Sequence, residues 1–397
     1  MTTTTTPYRA IFCDLRTDDT IDILPLRDVT VDDYIGKPGS LSGTIPVPNA
    51  EVAARVRRIE EGRTSVYLQR GNDLWWGGII WTSTLQSDDR GVLTLGIQAA
   101  TFESYAGRRR IRQDLTFTGT DDQLEVARRL WRHLQTGELV EVVDDDDGDG
   151  VPEGRGEEGD VTTVVGGDIG VTFGNESSPA RRAVSYRDGD ETVYLEAIDA
   201  LAALENGFEH YIAVYRDPVT GIRVRRLRLG SPKITTGTTD LVMDRPGTIL
   251  SYTFPRDATR GGTTARARGA TDNTNQAVES RPLFADADIA VGENLIKVGY
   301  PRIDLASDHN DIASIPVLRS LANAELAEGV GAVVIPEISV RLDDLVPSAL
   351  LGRTVRLRIT DEWWTEGLDA RYRIVGVKVS PAQRGRPDTA ELYLEEV

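Results

Sequence analysis

The residue spacing with the most definite chemistry is Asp145-x-Asp147-x-Asp149-Gly150. Alternate carboxylates followed by a glycine match the first half of a calcium loop, in which the acids converge on one cation and the glycine permits the sharp turn. Asp145, Asp147 and Asp149 are therefore the candidate calcium ligands, and no other cofactor is indicated. The second half of the loop fails. A bidentate acid belongs at the twelfth position, which is Gly156, while Glu157 and Glu158 come one and two residues late. The favoured reading is a solvated acidic loop held extended by self-repulsion.

Other combinations offer less. His133, His210 and His309 lie far apart and outside any HExxH-like spacing, so they carry no assigned role. GxSxG, P-loop and strand-GxGxxG patterns are missing, which removes the usual supports of nucleophilic and nucleotide chemistry. Carboxylate pairs suited to glycoside hydrolysis are unavoidable among 63 acids and so single out none. The pairs Trp75-Trp76 and Trp363-Trp364 could stack on sugar rings. Neighbours in a strand face opposite sides, however, so one ring of each pair is expected in the core and the other at an interface. Two basic runs, Arg108 to Arg112 and Arg223 to Arg228, are candidates for phosphate contact. The second reads as the wet face of a strand, and both could form ion pairs with the abundant acids. No catalytic residues are expected.

These residues must be positioned by a chain of 397 residues, enough for roughly two to four domains with buried cores. Cys13 is the single cysteine, which excludes an intrachain disulfide and a cysteine-based zinc site. The start, Met1, five threonines and Pro7, resembles neither a signal peptide nor a membrane anchor. Formal net charge is −18, and residues 141–160 carry half of it, with ten acids against Arg155 alone. The rest of the chain is mildly acidic, which disfavours a surface built to hold duplex DNA.

Short apolar segments at Tyr8 to Cys13, Ile21 to Leu24, Ser65 to Leu68, Trp75 to Thr84 and Val92 to Ala100 read as strands. Thr120-Asp-Asp-Gln123 resembles a capping box, and Leu124, Ala127, Leu130, Trp131 and Leu134 form a helical stripe that stops at Gly137. A second helix is expected from Asp190, with Tyr194, Ala197, Ile198, Leu201 and Leu204 as its stripe and Gly207 as its stop. Ala258 to Asn275 suggests an exposed strand and a long loop, Val317 to Ala327 a third helix, and the segments from Glu337 onward more strands. The predicted organisation is a β-barrel domain at 1–112, an α/β domain at 113–215 that includes the acidic loop, a mixed region at 216–330, and a C-terminal β domain at 331–397.

Several segments resemble the hub, or tail-associated, proteins at the tips of long-tailed phages, particularly minor tail proteins of phages that infect actinobacteria. They are Asp32-Asp-Tyr34 leading into Lys37-Pro-Gly-Ser-Leu41, then Trp75-Trp-Gly-Gly-Ile79, and Phe102-Glu-Ser-Tyr105 before Arg108-Arg-Arg-Ile111. The helix Asp122 to Leu130, Gly207-Phe208, Ile249 to Phe254 and Ala265 to Ala270 continue the pattern. The resemblance implies a β-rich α+β fold of baseplate-hub type, with two β-barrel tube-type domains flanking an α/β insertion. It further implies a structural virion protein of the tail tip, made in the bacterial cytoplasm, that forms a homotrimeric ring around the DNA exit channel. Its expected partners are further copies of itself, the distal tail protein or tail tube, a fibre or spike protein and the tape measure protein, with DNA met only in passage. Roles in host attachment and genome ejection follow. The chain departs from larger relatives in ending at Val397 without a peptidase, lysozyme or fibre extension, so wall puncture by enzymatic action is not expected of it. The alternatives are a glycan-binding adhesin module and, less favoured, a cell-wall glycosidase.

Overall fold

The computed structural model describes residues 8–137, 140–143, 161–164, 167–271, 280–287, 295–310, 312–329, 336–343, 345–382 and 387–397. The chain forms two compact units, each assembled from three separate segments. One comprises Met1–Arg27, Ser40–Ile198 and Tyr211–Arg228; the other comprises Asp28–Gly39, Asp199–His210 and Leu229–Val397.

In the first unit, antiparallel strands run in the order Thr20–Leu24, Tyr8–Asp14, Thr64–Arg70, Asp73–Ser87, Leu93–Thr101 and Ser40–Val47. All five strands expected in the first hundred residues are present. Leu74 to Ile80 is buried without interruption, so this half of its strand is covered on both faces and loses the alternation of a half-wet sheet. Gly78 is required there by close approach. A Cβ on it would lie 2.2 Å from the Ala100 carbonyl oxygen and 2.4 Å from the Trp76 ring. Gly78→Ala is expected to cost about 2 kcal/mol of stability through overpacking, read as a lower urea midpoint. A midpoint equal to wild type would show that the strand can shift at no cost.

A short helix, Ala50–Val56, was not legible in the sequence; the Asn49 side chain caps it by accepting from Val52 N–H at 2.9 Å. Arg55 in this helix and Arg58 just beyond it blunt the outer edge of the Thr20–Leu24 strand. Arg58 donates to the Ile21 carbonyl at 2.7 Å, and Arg55 to the Ile23 carbonyl at 3.2 Å and to Asp22. Carbonyls that could template another strand are thereby occupied.

The helix Gln123–Arg132 continues as a π-turn to Gly137, and its predicted stripe is buried throughout. The cap is Asp122 rather than Thr120, with one carboxylate oxygen accepting from Leu124 and Glu125 N–H at 2.8 and 2.9 Å. Thr120 instead lies in the Leu115–Asp122 strand, which pairs with Arg181–Tyr186. The second predicted helix spans Tyr194–Ala202, starting later than the Asp190 cap would place it.

In the second unit, Ile249–Thr253, Glu337–Arg341, Thr389–Glu396 and Leu368–Ser380 are successive antiparallel neighbours. The long Leu368–Ser380 strand also pairs along one half with Arg353–Ile359 and along the other with Asp33 and its neighbours in Arg27–Tyr34. Thr236–Arg245 lies parallel to Arg353–Ile359. A separate three-stranded sheet, Pro282–Asp286, Thr264–Thr271 and Asp304–Asp308, packs on the helix Ile315–Glu328. This corrects the expectation of an exposed strand after Ala258. Ala265 and Ala267 face the helix residues Leu318, Ala322 and Leu326 while Arg266 and Arg268 face outward, and the small residues allow the helix to approach closely.

Candidate functional site

Asp145, Asp147 and Asp149 lie outside the described residues. Among the described residues no group of three or more His, Cys, Asp or Glu side chains is placed to hold a metal. The three histidines are engaged in hydrogen bonds: His133 with Tyr194 and Gln113, His210 with Asp199, and His309 with Ser307. Arg110 and Arg112 of the first basic run pair with Glu191 at 3.7 and 3.8 Å, and Arg108 lies over the Trp81 ring.

Both Trp75 and Trp76 are buried, at 5 % and 2 % exposure, so the expectation that one of them meets an interface is corrected. The strand is covered on both faces, which gives adjacent rings separate apolar environments. Trp75 meets the Tyr8 ring edge-on at 5.1 Å, and Trp76 lies over Gly78. The other pair divides as expected, with Trp364 packed against Phe254 and Trp363 exposed.

The second basic run is the main correction. Arg223, Arg225, Leu227 and Leu229 share one face of the Arg223–Gly230 strand, and that face points inward. Arg225 is 4 % exposed, and all five of its N–H groups are used. They donate to the Tyr67 hydroxyl, the Leu15 carbonyl and Asp18 Oδ1, each at 2.7 Å, to Ser65 Oγ at 3.3 Å, and to the Ile169 carbonyl. The guanidinium lies 4.4 Å from the Phe102 ring centre. Tyr67 passes its own proton donation to Asp18 at 2.8 Å, and Arg223 donates to the other Asp18 oxygen at 2.7 Å. Burial pushes the Tyr67 hydroxyl pKa well above its ordinary value, so it remains a protonated donor. Asp18 itself has φ of 60°, a left-handed geometry that aspartate tolerates better than most residues. The network fixes this turn to the sheet. Residue parity, 223 with 225, 227 and 229, was the signal that could have revealed it.

A second buried arginine organises the other unit. Arg373, 3 % exposed, donates to both carboxylate oxygens of Glu209, to Glu395, and to the Ile234 carbonyl at 2.9 Å. Glu209 also accepts from Ile234 N–H at 2.7 Å, and Lys233 pairs with Glu395. In both networks the guanidinium is buried and bonds acceptors from distant segments of its own unit.

The surface best suited to contact another chain is a β-hairpin arm. Pairing on the outer side of the Asp73–Ser87 strand stops at Ile79, opposite Ser65, among the described residues. The continuation, Trp81-Thr-Ser-Thr-Leu-Gln-Ser87, contains no charge and no proline, the devices that normally discourage strand addition. On the other side the pairing with Leu93–Thr101 continues to the tip. Leu85, Val92 and Leu93 are 65 %, 55 % and 37 % exposed there, beside a shallow concavity of about 340 Å³ lined by Gln86, Ser87, Asp88, Val92 and Thr94. An inner apolar face that is closed at Ile45 and Ile97 thus runs uncovered toward the tip.

This β-rich fold is that of phage tail proteins. Its architecture matches the tail protein from Neisseria meningitidis MC58 with a TM-score of 0.55 and 14 % identity, covering 98 % of this chain and 96 % of that one. It also matches the 43 kDa tail protein of prophage MuSo2 from Shewanella oneidensis with a TM-score of 0.53 and 11 % identity, covering 98 % of each. No protein-family model and no curated protein matches the sequence. At this identity the likeness is one of fold. No helix of the described residues is long and apolar enough to cross a membrane.

Proposed function

We propose that this chain is a structural component of a phage tail tip, a hub subunit that joins the distal tail to a spike or fibre. The observation that carries the reading is the end-to-end match to two tail proteins, nearly the whole of each chain being covered. In this reading the two β units act as barrel-type tube domains, three copies form a ring around the DNA exit channel, and the ring meets the distal tail protein, the tape measure protein and a fibre or spike. The chain performs no catalysis. The uncharged arm Trp81–Ser87 is the assembly seam, where a neighbouring chain covers the apolar tip and continues the sheet.

Light scattering coupled to size exclusion, over a range of concentrations, tests the ring. The expected result is a particle with the mass of three copies. Thr84→Lys places a charge on the free edge at an exposed position. It is expected to leave monomer stability within about 0.5 kcal/mol and to shift the mass toward one copy. Wild-type protein that stays monomeric at every concentration would remove the self-assembled ring, and unchanged assembly of Thr84→Lys would remove the arm as its seam.

A further inference from the structure

The turn between the Arg353–Ile359 and Leu368–Ser380 strands holds an indole out to solvent on a rigid support. Trp363 is 75 % exposed, yet the backbone around it is fixed on both sides. Asp361 Oδ1 accepts from the N–H groups of Trp363 and Trp364, each at 3.0 Å, and its other oxygen accepts from the Tyr252 hydroxyl at 2.6 Å. Thr360 N–H donates to the Arg245 carbonyl at 3.1 Å, and Gly367 N–H to the Trp364 carbonyl at 2.9 Å. Trp364 anchors the turn, its ring edge-on to Phe254 at 6.0 Å, and Phe254 in turn meets Tyr252 at 5.5 Å and Tyr372 at 6.2 Å. A ligand that covers Trp363 therefore finds a platform already ordered.

The residues around the indole select the class of ligand. Glu362, Thr365 and Glu366 are all exposed on the same turn. The core of a protein interface is depleted of charge, and carboxylates buried there without cations would oppose binding. A pyranose ring meets different demands. Its C–H face packs on an aromatic face, while the hydroxyls on its rim donate to carboxylate and hydroxyl oxygens, directly or through water. We propose that the 361–366 turn is a saccharide-binding subsite, with Trp363 as the stacking platform and Glu362, Thr365 and Glu366 as hydroxyl acceptors. Its carboxylates favour neutral sugars and N-acetylated amino sugars over anionic polymers. A single shallow platform binds weakly. Several copies on one particle would strengthen attachment through avidity, and that last step alone rests on the tail-tip reading.

The chain carries its own reporter. Of its six tryptophans, Trp75, Trp76 and Trp131 are at most 5 % exposed and Trp81 and Trp364 are only half-buried, so the difference in acrylamide quenching between wild type and Trp363→Ala reads Trp363. Full-length protein titrated with chitotetraose and with maltotetraose is expected to show saturable protection from quenching by at least one of them, with a midpoint of about 1 mM. Trp363→Ala should abolish sugar binding measured by calorimetry while leaving the melting temperature unchanged. The double variant Glu362→Gln, Glu366→Gln should weaken binding about fivefold, as expected when charge-assisted acceptors become neutral. Absence of protection by either sugar at about 20 mM, more than ten times that midpoint, would overturn the proposal, as would wild-type affinity in Trp363→Ala. Protection that follows protein concentration and ignores sugar would also overturn it, in favour of a contact between proteins. Because a monomer suffices for the assay, a negative result bears on the subsite and leaves the ring untouched.

Discussion

Replacing Arg225 with methionine is expected to destabilise the protein by about 4 kcal/mol, the range in which removing one member of a buried ion pair falls. Methionine keeps much of the side-chain length and the contact with Phe102, so the loss isolates the polar network. Five acceptors would be deprived at once: the Tyr67 hydroxyl, Asp18, Ser65, and the Leu15 and Ile169 carbonyls. Arg223 still pairs with Asp18, which limits the penalty on that carboxylate. Arg225→Lys should recover less than half of the loss, because one ammonium presents three donors and cannot reproduce the planar fork. Urea unfolding followed by tryptophan emission measures both. A methionine variant within about 1 kcal/mol of wild type would mean that the network is replaceable by apolar packing, as some buried ion pairs are.

Arg373→Met is expected to cost about 3 kcal/mol, toward the lower end for a buried pair because Glu395 keeps 35 % of its side chain exposed. This variant carries a pH signature. Burial alone would raise the Glu395 pKa, but hydrogen bonds from Lys233 and Arg373 outweigh it and hold the carboxyl below its ordinary value. A lowered folded-state pKa contributes stability above the unfolded value of about 4.3, and that contribution is lost as pH falls through the folded-state value. Without Arg373 the opposing burial is less compensated, and the Glu395 contribution shrinks. The deficit of the variant should therefore be largest near neutral pH and should narrow below about pH 4. Parallel urea titrations across that range test the sign, and a deficit constant with pH would show that Arg373 acts through packing alone.

Local pattern made much of the fold legible. The short apolar segments of the first hundred residues and the stripe from Leu124 to Leu134 report which parts of the chain avoid water, and the structure places strands and a buried helix face there. The helix at Ile315–Glu328 was equally plain. Less plain was the Ala50–Val56 helix, at seven residues too short for periodicity to emerge. The Ala265-x-Ala267 strand read as exposed because its small residues carry little hydrophobic signal, although they permit close helix packing. The exposed Trp363 was visible as part of a pair, but only the packing of Trp364 on Phe254, which leaves Trp363 in solvent on the same Asp361-held turn, distinguishes the two.

The sequence by itself determined the β-rich character of the chain and the positions of most strands and helices. Each of these depends on contacts or preferences within a few residues, and such information is written along the chain. Tertiary structure alone decided that Arg225 and Arg373 lie inside, that Trp75 and Trp76 are both covered, and that Asp28–Gly39 joins the unit formed mainly by Leu229–Val397. A guanidinium is placed in the interior only if acceptors surround it, and here they arrive from far away: Asp18 stands 207 residues from Arg225, and Glu209 stands 164 from Arg373. Periodicity states which face a residue occupies; what covers that face is fixed only when distant segments meet.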